Sequence, residues 1–374
     1  MSGISELDER FMAAAERLAR RGLGRVWPNP SVAALIVRDE EGGPVLVGRG
    51  VTSRPGLAHA EVNALNQAGE KARDATCYVT LEPCSHYGRT PPCALALINS
   101  GVRRVIVGML DPNPRVAGRG VKMLEDAGIE VTVGVREEAM KALYHGFMLR
   151  QLRQRPHVFL KLAASQDGFI GRAGEGQIKI SGPLSMRKVH GFRASHDAIL
   201  VGSGTALADD PQLTCRLPGL AERSPVRVVI DRRACLPPGS KLVGTCADVP
   251  VWLICGNDAD LDRIDHLAEA GVNIIRVPAS DAGIEPSVIL SALAARGITR
   301  LMVEGGSRIA SSFLAADLVD DLCVVTGNIV IGKGGIPALH GLDLADVLKD
   351  PKFRRVDAGK FGLDSFIYLR RRGA

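Results

Sequence analysis

The chain has 374 residues, 46% of them hydrophobic, with 47 Lys and Arg against 41 Asp and Glu. That length makes two domains the default, and a net charge of +6 spread along the chain lacks the concentrated basic stripe that nucleic-acid binding needs. No run approaches the ~18 apolar residues of a membrane-spanning helix. The first residues lack the basic flank and apolar core of a secretory signal, so the eight scattered cysteines are expected as reduced thiols in the cytoplasm. With only 4% aromatic residues, aliphatic and alanine side chains must make the cores.

Ser5 to Arg21 carries Phe11, Ala14, Ala15 and Leu18 at helical spacing, with Ser5 and Asp8 as a capping pair. This predicts an amphipathic helix facing a core. Trp27-Pro28-Asn29-Pro30 predicts a turn. Val32–Val37 and Val45–Val51 flank Glu40-Glu41-Gly42-Gly43 and predict a hairpin. Next come a helix from Ala58 to Gly69, a strand over Thr76–Leu81, a helix over Cys93–Ser100 and a strand over Arg104–Gly108. A helix over Gly120–Ala127, a strand over Ile129–Val133 and a helix over Glu137–Arg153 complete the first half. Such alternation predicts a sheet covered on both faces, with sites at the carboxyl ends of strands. Pro156 stops the last helix, so a boundary is expected at 150 to 156. No Gly/Ser-rich linker lies there, which predicts closely docked domains.

The chemistry of this half lies between His59 and Cys93. One imidazole (His59) and two thiols (Cys84, Cys93) are three ligands of the type zinc takes, and three protein ligands mark a catalytic site with a position left for water. Glu61 is too close in sequence to be an easy fourth ligand. It is placed to carry protons to and from that water, the His-x-Glu arrangement of zinc deaminases. Eight residues separate Cys84 from Cys93, so a Cys-x-x-Cys helix turn is impossible. Cys84 is instead expected just after a strand. Cys93 is expected to open a helix, with Pro91 and Pro92 in its first turn, where the helix end favours thiolate. The alternative is two ordinary buried thiols and a surface histidine.

In the second half, strands are expected over His157–Ala163, Ala198–Val201, Arg227–Ile230, Val251–Cys255, Asn273–Val277, Leu301–Val303, Leu322–Thr326 and Phe366–Leu369. Helices are expected over Pro183–Ala194, Pro286–Arg296 and Ser307–Leu314. Gly202-Ser203-Gly204-Thr205 reads as a small-residue turn after a strand. Glu304-Gly305-Gly306-Ser307 reads as a glycine turn opening a helix, whose free N–H groups suit a phosphate. Neither is a Gly-x-Gly-x-x-Gly fingerprint, and each could be only a tight connection.

His59-Ala60-Glu61 together with Thr80-Leu81-Glu82-Pro83-Cys84-Ser85-His86-Tyr87-Gly88-Arg89-Thr90-Pro91-Pro92-Cys93 resembles the bifunctional riboflavin biosynthesis family RibD, which couples a pyrimidine deaminase to a pyrimidine reductase. Asn29-Pro30, Asp111-Pro112-Asn113-Pro114 and Val116-Ala117-Gly118-Arg119-Gly120 extend the resemblance. It implies an α/β protein: a cytidine-deaminase-like α/β/α domain over 1–150 and a dihydrofolate-reductase-like α/β domain over 155–374. It implies one zinc per chain on His59, Cys84 and Cys93, catalysis by Glu61, and substrate contacts from Asn29, His86 and Arg89. In the second half, Lys161 to Gly168, Thr205 to Arg216 and Glu304-Gly305-Gly306 are similar to the reductase. Ala164, Thr205, Asp209, Gly306, Ser307, Arg308, Ile309, Ala310, Ser311 and Ser312 are thereby implied to touch NADPH. Ser165, Arg193, Leu213, Arg216 and Glu304 are implied to face the substrate. The chain departs where the family often carries Trp-Ile-Thr: it has Ile178-Lys179-Ile180-Ser181, without a stacking tryptophan, and Gln166 stands where Leu is usual.

The implied task is hydrolytic deamination of a phosphoribosylaminopyrimidine, then NADPH-dependent reduction of its ribosyl group to ribityl. A homo-oligomer with a small-molecule substrate, and no nucleic acid or membrane partner, is expected. An RNA-editing deaminase needs a basic groove and stacking aromatics, against four Tyr and two Trp here. A structural zinc module needs no proton carrier at Glu61.

Overall fold

Ser5 caps the first helix, α1 (Glu6–Arg20), through a reciprocal pair: its hydroxyl accepts from the Asp8 N–H at 3.1 Å, and its own N–H donates to Asp8 at 3.0 Å. Asp8 is buried and also takes Arg104 at 3.0 Å and the Tyr78 hydroxyl at 3.1 Å. A residue read as a local cap therefore ties α1 to the sheet beneath it. Met12, Ala15 and Ala19 are the buried stripe.

The computed structural model describes residues 4–87, 91–114, 116–176 and 178–373, and the chain divides into two units, Met1–Arg153 and Gln154–Ala374. The first unit continues with β1 (Ala33–Glu40), β2 (Gly43–Val51), α2 (Ala60–Ala68), β3 (Thr76–Val79), α3 (Cys93–Ser100), β4 (Arg104–Val107), α4 (Arg119–Asp126), β5 (Glu130–Val133) and α5 (Glu137–Arg153). Among the described residues these strands form one sheet in the order β2-β1-β3-β4-β5. β1 and β2 are the antiparallel hairpin, whereas β3, β4 and β5 run parallel through the α3 and α4 crossovers.

Helix α2 lies against β2 because that strand presents glycines. A Cβ at Gly50 would sit 2.0 Å from the Ala60 carbonyl oxygen, and one at Gly48 would sit 2.3 Å from that of Ala64. Gly50→Ala must therefore push α2 off the strand. Overpacking of this kind costs about 1–3 kcal/mol, and urea unfolding of the variant should show a midpoint lowered accordingly.

The second unit contains β6 (His157–Ala164), β7 (Phe169–Arg172), α6 (Pro183–Arg193), β8 (Ala198–Gly202), α7 (Ser203–Asp209), β9 (Val226–Ile230), α8 (Lys241–Gly244), β10 (Val251–Gly256), α9 (Leu261–Glu269) and β11 (Asn273–Val277). It ends with α10 (Pro286–Ala295), β12 (Arg300–Val303), α11 (Ser307–Ala315), β13 (Asp321–Thr326), β14 (Gly335–Pro337), α12 (Leu344–Lys349), β15 (Phe353–Phe361) and β16 (Asp364–Arg371). Among the described residues its main sheet runs β11-β10-β9-β8-β12-β6-β13-β16-β15. It is parallel from β11 to β13, and β16 and β15 close it antiparallel. Its core includes Phe159, Ile199, Val201, Val229, Leu253 and Met302.

Several expectations shift. The small-residue segment after β8 is helix α7, not a turn: Ser203–Asp209 is helical even though it contains glycine. His59 is the N-cap of α2 instead of lying in its first turn, and Pro92 is the N-cap of α3 with Pro91 before it. Strand β15 went unread because it lies at the sheet edge with most of its residues exposed, so no alternation marks it. Among the described residues, β7 and β14 pair only with each other. No helix among the described residues is long and apolar enough to cross a membrane.

Candidate functional site

The first cluster forms where α2, the segment after β3, and α3 meet. His59 Nδ1 lies 3.3 Å from Cys93 Sγ and 3.7 Å from Cys84 Sγ, and the donor atoms of the three residues all lie within 4.8 Å of one another. The chain holds the two cysteines together by backbone. The Cys93 N–H donates to Cys84 Sγ at 3.3 Å, and the Ala94 N–H donates to the Cys84 carbonyl at 3.2 Å. The first-turn N–H groups of α3, which have no partner inside the helix, are thus spent on Cys84. This is how a nine-residue separation still yields one site.

The thiols polarise in opposite directions. Cys84 is pulled down to about 4, first by its hydrogen bond with Cys93, and Cys93 is pushed up by that contact and by burial. Two thiolates at this distance repel, so both ionise together only around a cation. His59 is raised, mainly by its hydrogen bond with Cys84. Glu61, 3% exposed in the first turn of α2, has its carboxyl pushed up to about 7 by burial, and it contacts Cys93. An imidazole, two thiols and a buried carboxyl therefore lie side by side. His86 lies exposed just past Cys84, and Asn29 sits half-buried in the turn after α1. Arg89 lies outside the described residues.

The second cluster lies in the other unit, at the carboxyl ends of the adjacent strands β8, β12 and β6. The turn after β12 and helix α7 after β8 abut. A Cβ at Gly305 or Gly306 would meet Thr205 at about 3.1–3.3 Å, and Gly306 has a φ of +72°. Gly202 lies under Ile309, 2.8 Å from where a Cβ would stand. Thr205, Gly306, Ser307 and Ile309 are therefore gathered at one rim, with Ala164 buried at the end of β6 and Asp209 at the end of α7. Burial raises the Asp209 carboxyl. Within α11, Ala310 is fully buried, Arg308 is exposed, Ser312 bonds the Ile309 carbonyl and the Ser311 hydroxyl accepts from the His340 N–H at 2.7 Å.

Below that rim, Glu304 is gripped by two cations. Arg193 reaches it at 2.9 Å and Lys161 at 3.6 Å, with all three side chains below 10% exposed. Arg193 also donates to the Thr214 carbonyl at 3.0 Å. Burial raises the Glu304 carboxyl, but Arg193 and Lys161 outweigh it, and the net shift is downward. Arg216 is lowered by burial and by Arg193, so two guanidiniums face one region. Leu213, buried, holds a φ of +55°, a strained value for a branched residue. Ser165 is buried, and its hydroxyl donates to Asp167 at 2.6 Å and accepts the Phe169 N–H.

Residues 156–363 match the RibD C-terminal domain, and residues 5–109 match the cytidine and deoxycytidylate deaminase zinc-binding region. The chain is 40% identical over 344 residues to the riboflavin biosynthesis protein RibD of Bacillus amyloliquefaciens, covering 92% of this chain and 91% of that protein. It belongs to the RibD family. The Escherichia coli RibD is 39% identical over 376 residues, covering 97% and 99% of the two chains. The Acinetobacter baumannii RibD structure superposes with a TM-score of 0.85 at 34% identity, covering 97% and 98%. The Thermotoga maritima diaminohydroxyphosphoribosylaminopyrimidine deaminase/5-amino-6-(5-phosphoribosylamino)uracil reductase superposes at 0.83 and 37% identity, covering 98% and 99%. RibD proteins are bifunctional enzymes of riboflavin biosynthesis, and this chain carries both the deaminase and the reductase domain.

The sequence reading did not single out Lys161, which the fold pairs with Glu304. It was visible only as the first residue of a matching strand segment, and a single lysine in an apolar strand carries no signal of its own. Its pairing with Glu304 spans 3.6 Å in space but joins β6 to the end of β12. His190 was missed likewise: its Nδ1 accepts from the Arg216 N–H at 3.3 Å, placing α6 against the Leu213–Arg216 segment.

Proposed function

We propose that the Met1–Arg153 unit deaminates 2,5-diamino-6-(5-phosphoribosylamino)pyrimidin-4-one, and that the Gln154–Ala374 unit reduces the product with NADPH to 5-amino-6-(5-phosphoribitylamino)uracil. The observation that carries the reading is the convergence of His59, Cys84 and Cys93 within 4.8 Å beside buried Glu61. One nitrogen and two sulfur donors fit zinc, and three ligands fit catalytic zinc. Zinc bound there supplies a Lewis acid that makes water nucleophilic at neutral pH. Glu61, buried beside these three donors, would take a proton from water and pass it to the departing exocyclic nitrogen. Asn29, His86 and Arg89 hold the pyrimidine and its substituents.

In the reductase, the first-turn N–H groups of α11 and the Gly305-Gly306 turn would hold a phosphate of NADPH, with Thr205 and Asp209 beside them. Ala164 and the Gly306–Ser312 segment complete that rim. NADPH supplies the hydride. Arg193 and Arg216 hold the substrate phosphate by forked donors, Leu213 and Ser165 shape the pocket, and Lys161 and Glu304 form an ion pair able to hold a proton beside the sugar. The eight free cysteines suit a reducing compartment, and we place the enzyme in the cytoplasm as a homo-oligomer.

The test uses the zinc-loaded full chain. Ammonia should be released without NADPH, and NADPH oxidation should follow one for one. In Gly306→Asp the new carboxylate repels a phosphate, and its Cβ meets Thr205 Oγ1 at 3.1 Å. The NADPH dissociation constant should rise at least about tenfold, a loss of ~1.4 kcal/mol, with ammonia release unchanged. A protein that releases no ammonia refutes the first step, and unchanged NADPH affinity in a folded variant moves the cofactor elsewhere.

A further inference from the structure

Glu82 is buried three residues past the end of β3 and two before Cys84, and no step above uses it. Its carboxylate accepts four backbone N–H groups: Asp111 at 3.0 Å and Gly118 at 2.9 Å on Oε2, Gly120 at 2.8 Å and Val121 at 3.3 Å on Oε1. Three of these are the opening N–H groups of α4, which an α-helix cannot satisfy itself. The N-cap of α4 is Gly118, which has no side chain to do so. Glu82 is thus a helix cap supplied from the segment after β3, with its charge at the favourable end of the helix dipole.

The same contact builds one wall of the first cluster. Gly120 rests on the segment before Cys84, so that a Cβ there would lie 1.9 Å from the Pro83 carbonyl oxygen. We propose that Glu82 is a positioning residue of the deaminase: it clamps Asp111 and the start of α4 against the Cys84 segment, so that this wall is set before the pyrimidine binds. The inference rests on the deaminase reading above.

In Glu82→Gln one oxygen becomes an amide NH2 that faces N–H donors, so up to half of the clamp is lost at unchanged size. With the zinc-loaded full chain, the KM for deamination should rise about tenfold, the scale of a lost cap. The kcat should stay within about threefold of the parent's. Zinc should stay at one per chain, and reductase turnover on pre-deaminated substrate should not change. An unchanged KM overturns the clamp. Zinc lost in step with activity overturns it too, because Glu82 would then act on the metal centre. Hydrogen exchange on the unaltered protein gives a second reading that does not depend on the variant folding. Peptides covering Gly118–Val121 should be protected although these amides lack intrahelical partners, and exchange as fast as an open loop refutes the proposal. A parent protein that releases no ammonia strikes the deaminase reading instead, and the exchange result still decides whether the clamp exists.

Discussion

Glu61→Gln should lower deamination at least about a hundredfold, the lower range for a general acid–base group. Glutamine matches glutamate in size and keeps most of its polarity, so α2 and the neighbouring ligands should not move. It cannot accept and return a proton at the oxygen that matters. At 3% exposure the position admits little bulk water to take over the transfer. Zinc should remain at one per chain, because the three donor atoms belong to other residues. Reductase turnover on pre-deaminated substrate should match the parent's, since Lys161, Arg193 and Glu304 lie in the other unit. Ammonia release, metal content and NADPH oxidation measured on one preparation separate these effects. Near-normal ammonia release would remove Glu61 from the mechanism.

Cys84→Ser should cost most of the zinc and, with it, nearly all deamination. A serine hydroxyl is a hard, protonated group at neutral pH, and it replaces the thiol most readily ionised in this cluster, the one pulled down to about 4. The local chain should hold, because the Ala94 N–H bonds the carbonyl of residue 84 and the serine oxygen can still accept the Cys93 N–H. Metal content after dialysis should fall below about a tenth of the parent's, in line with the 10–100-fold losses seen for weaker disturbances of metal sites. Reductase turnover should persist. Full zinc occupancy in this variant would place the metal on other ligands.

The sequence by itself picked out the three donor residues that the fold brings together in the first cluster, the order of most strands and helices in the first unit, and a chain of two units. The reason is physical: imidazole, thiol and carboxyl in one short stretch have few common uses, and half-buried helices and strands advertise their periods. Tertiary structure alone decided what depended on partners far along the chain. The Lys161–Glu304 pair joins two strands that become neighbours only in the folded sheet. The glycines of β2 gained meaning only when α2 was found lying on them. Edge strand β15 hid because neither face is buried deeply enough to impose alternation. Glu82 read as one letter of a motif, and only the fold showed four N–H groups, 29 to 39 residues away in sequence, converging on its carboxylate. Local pattern reports what a residue is and which side of an element it faces; which distant backbone meets it is set by the packing of the whole unit.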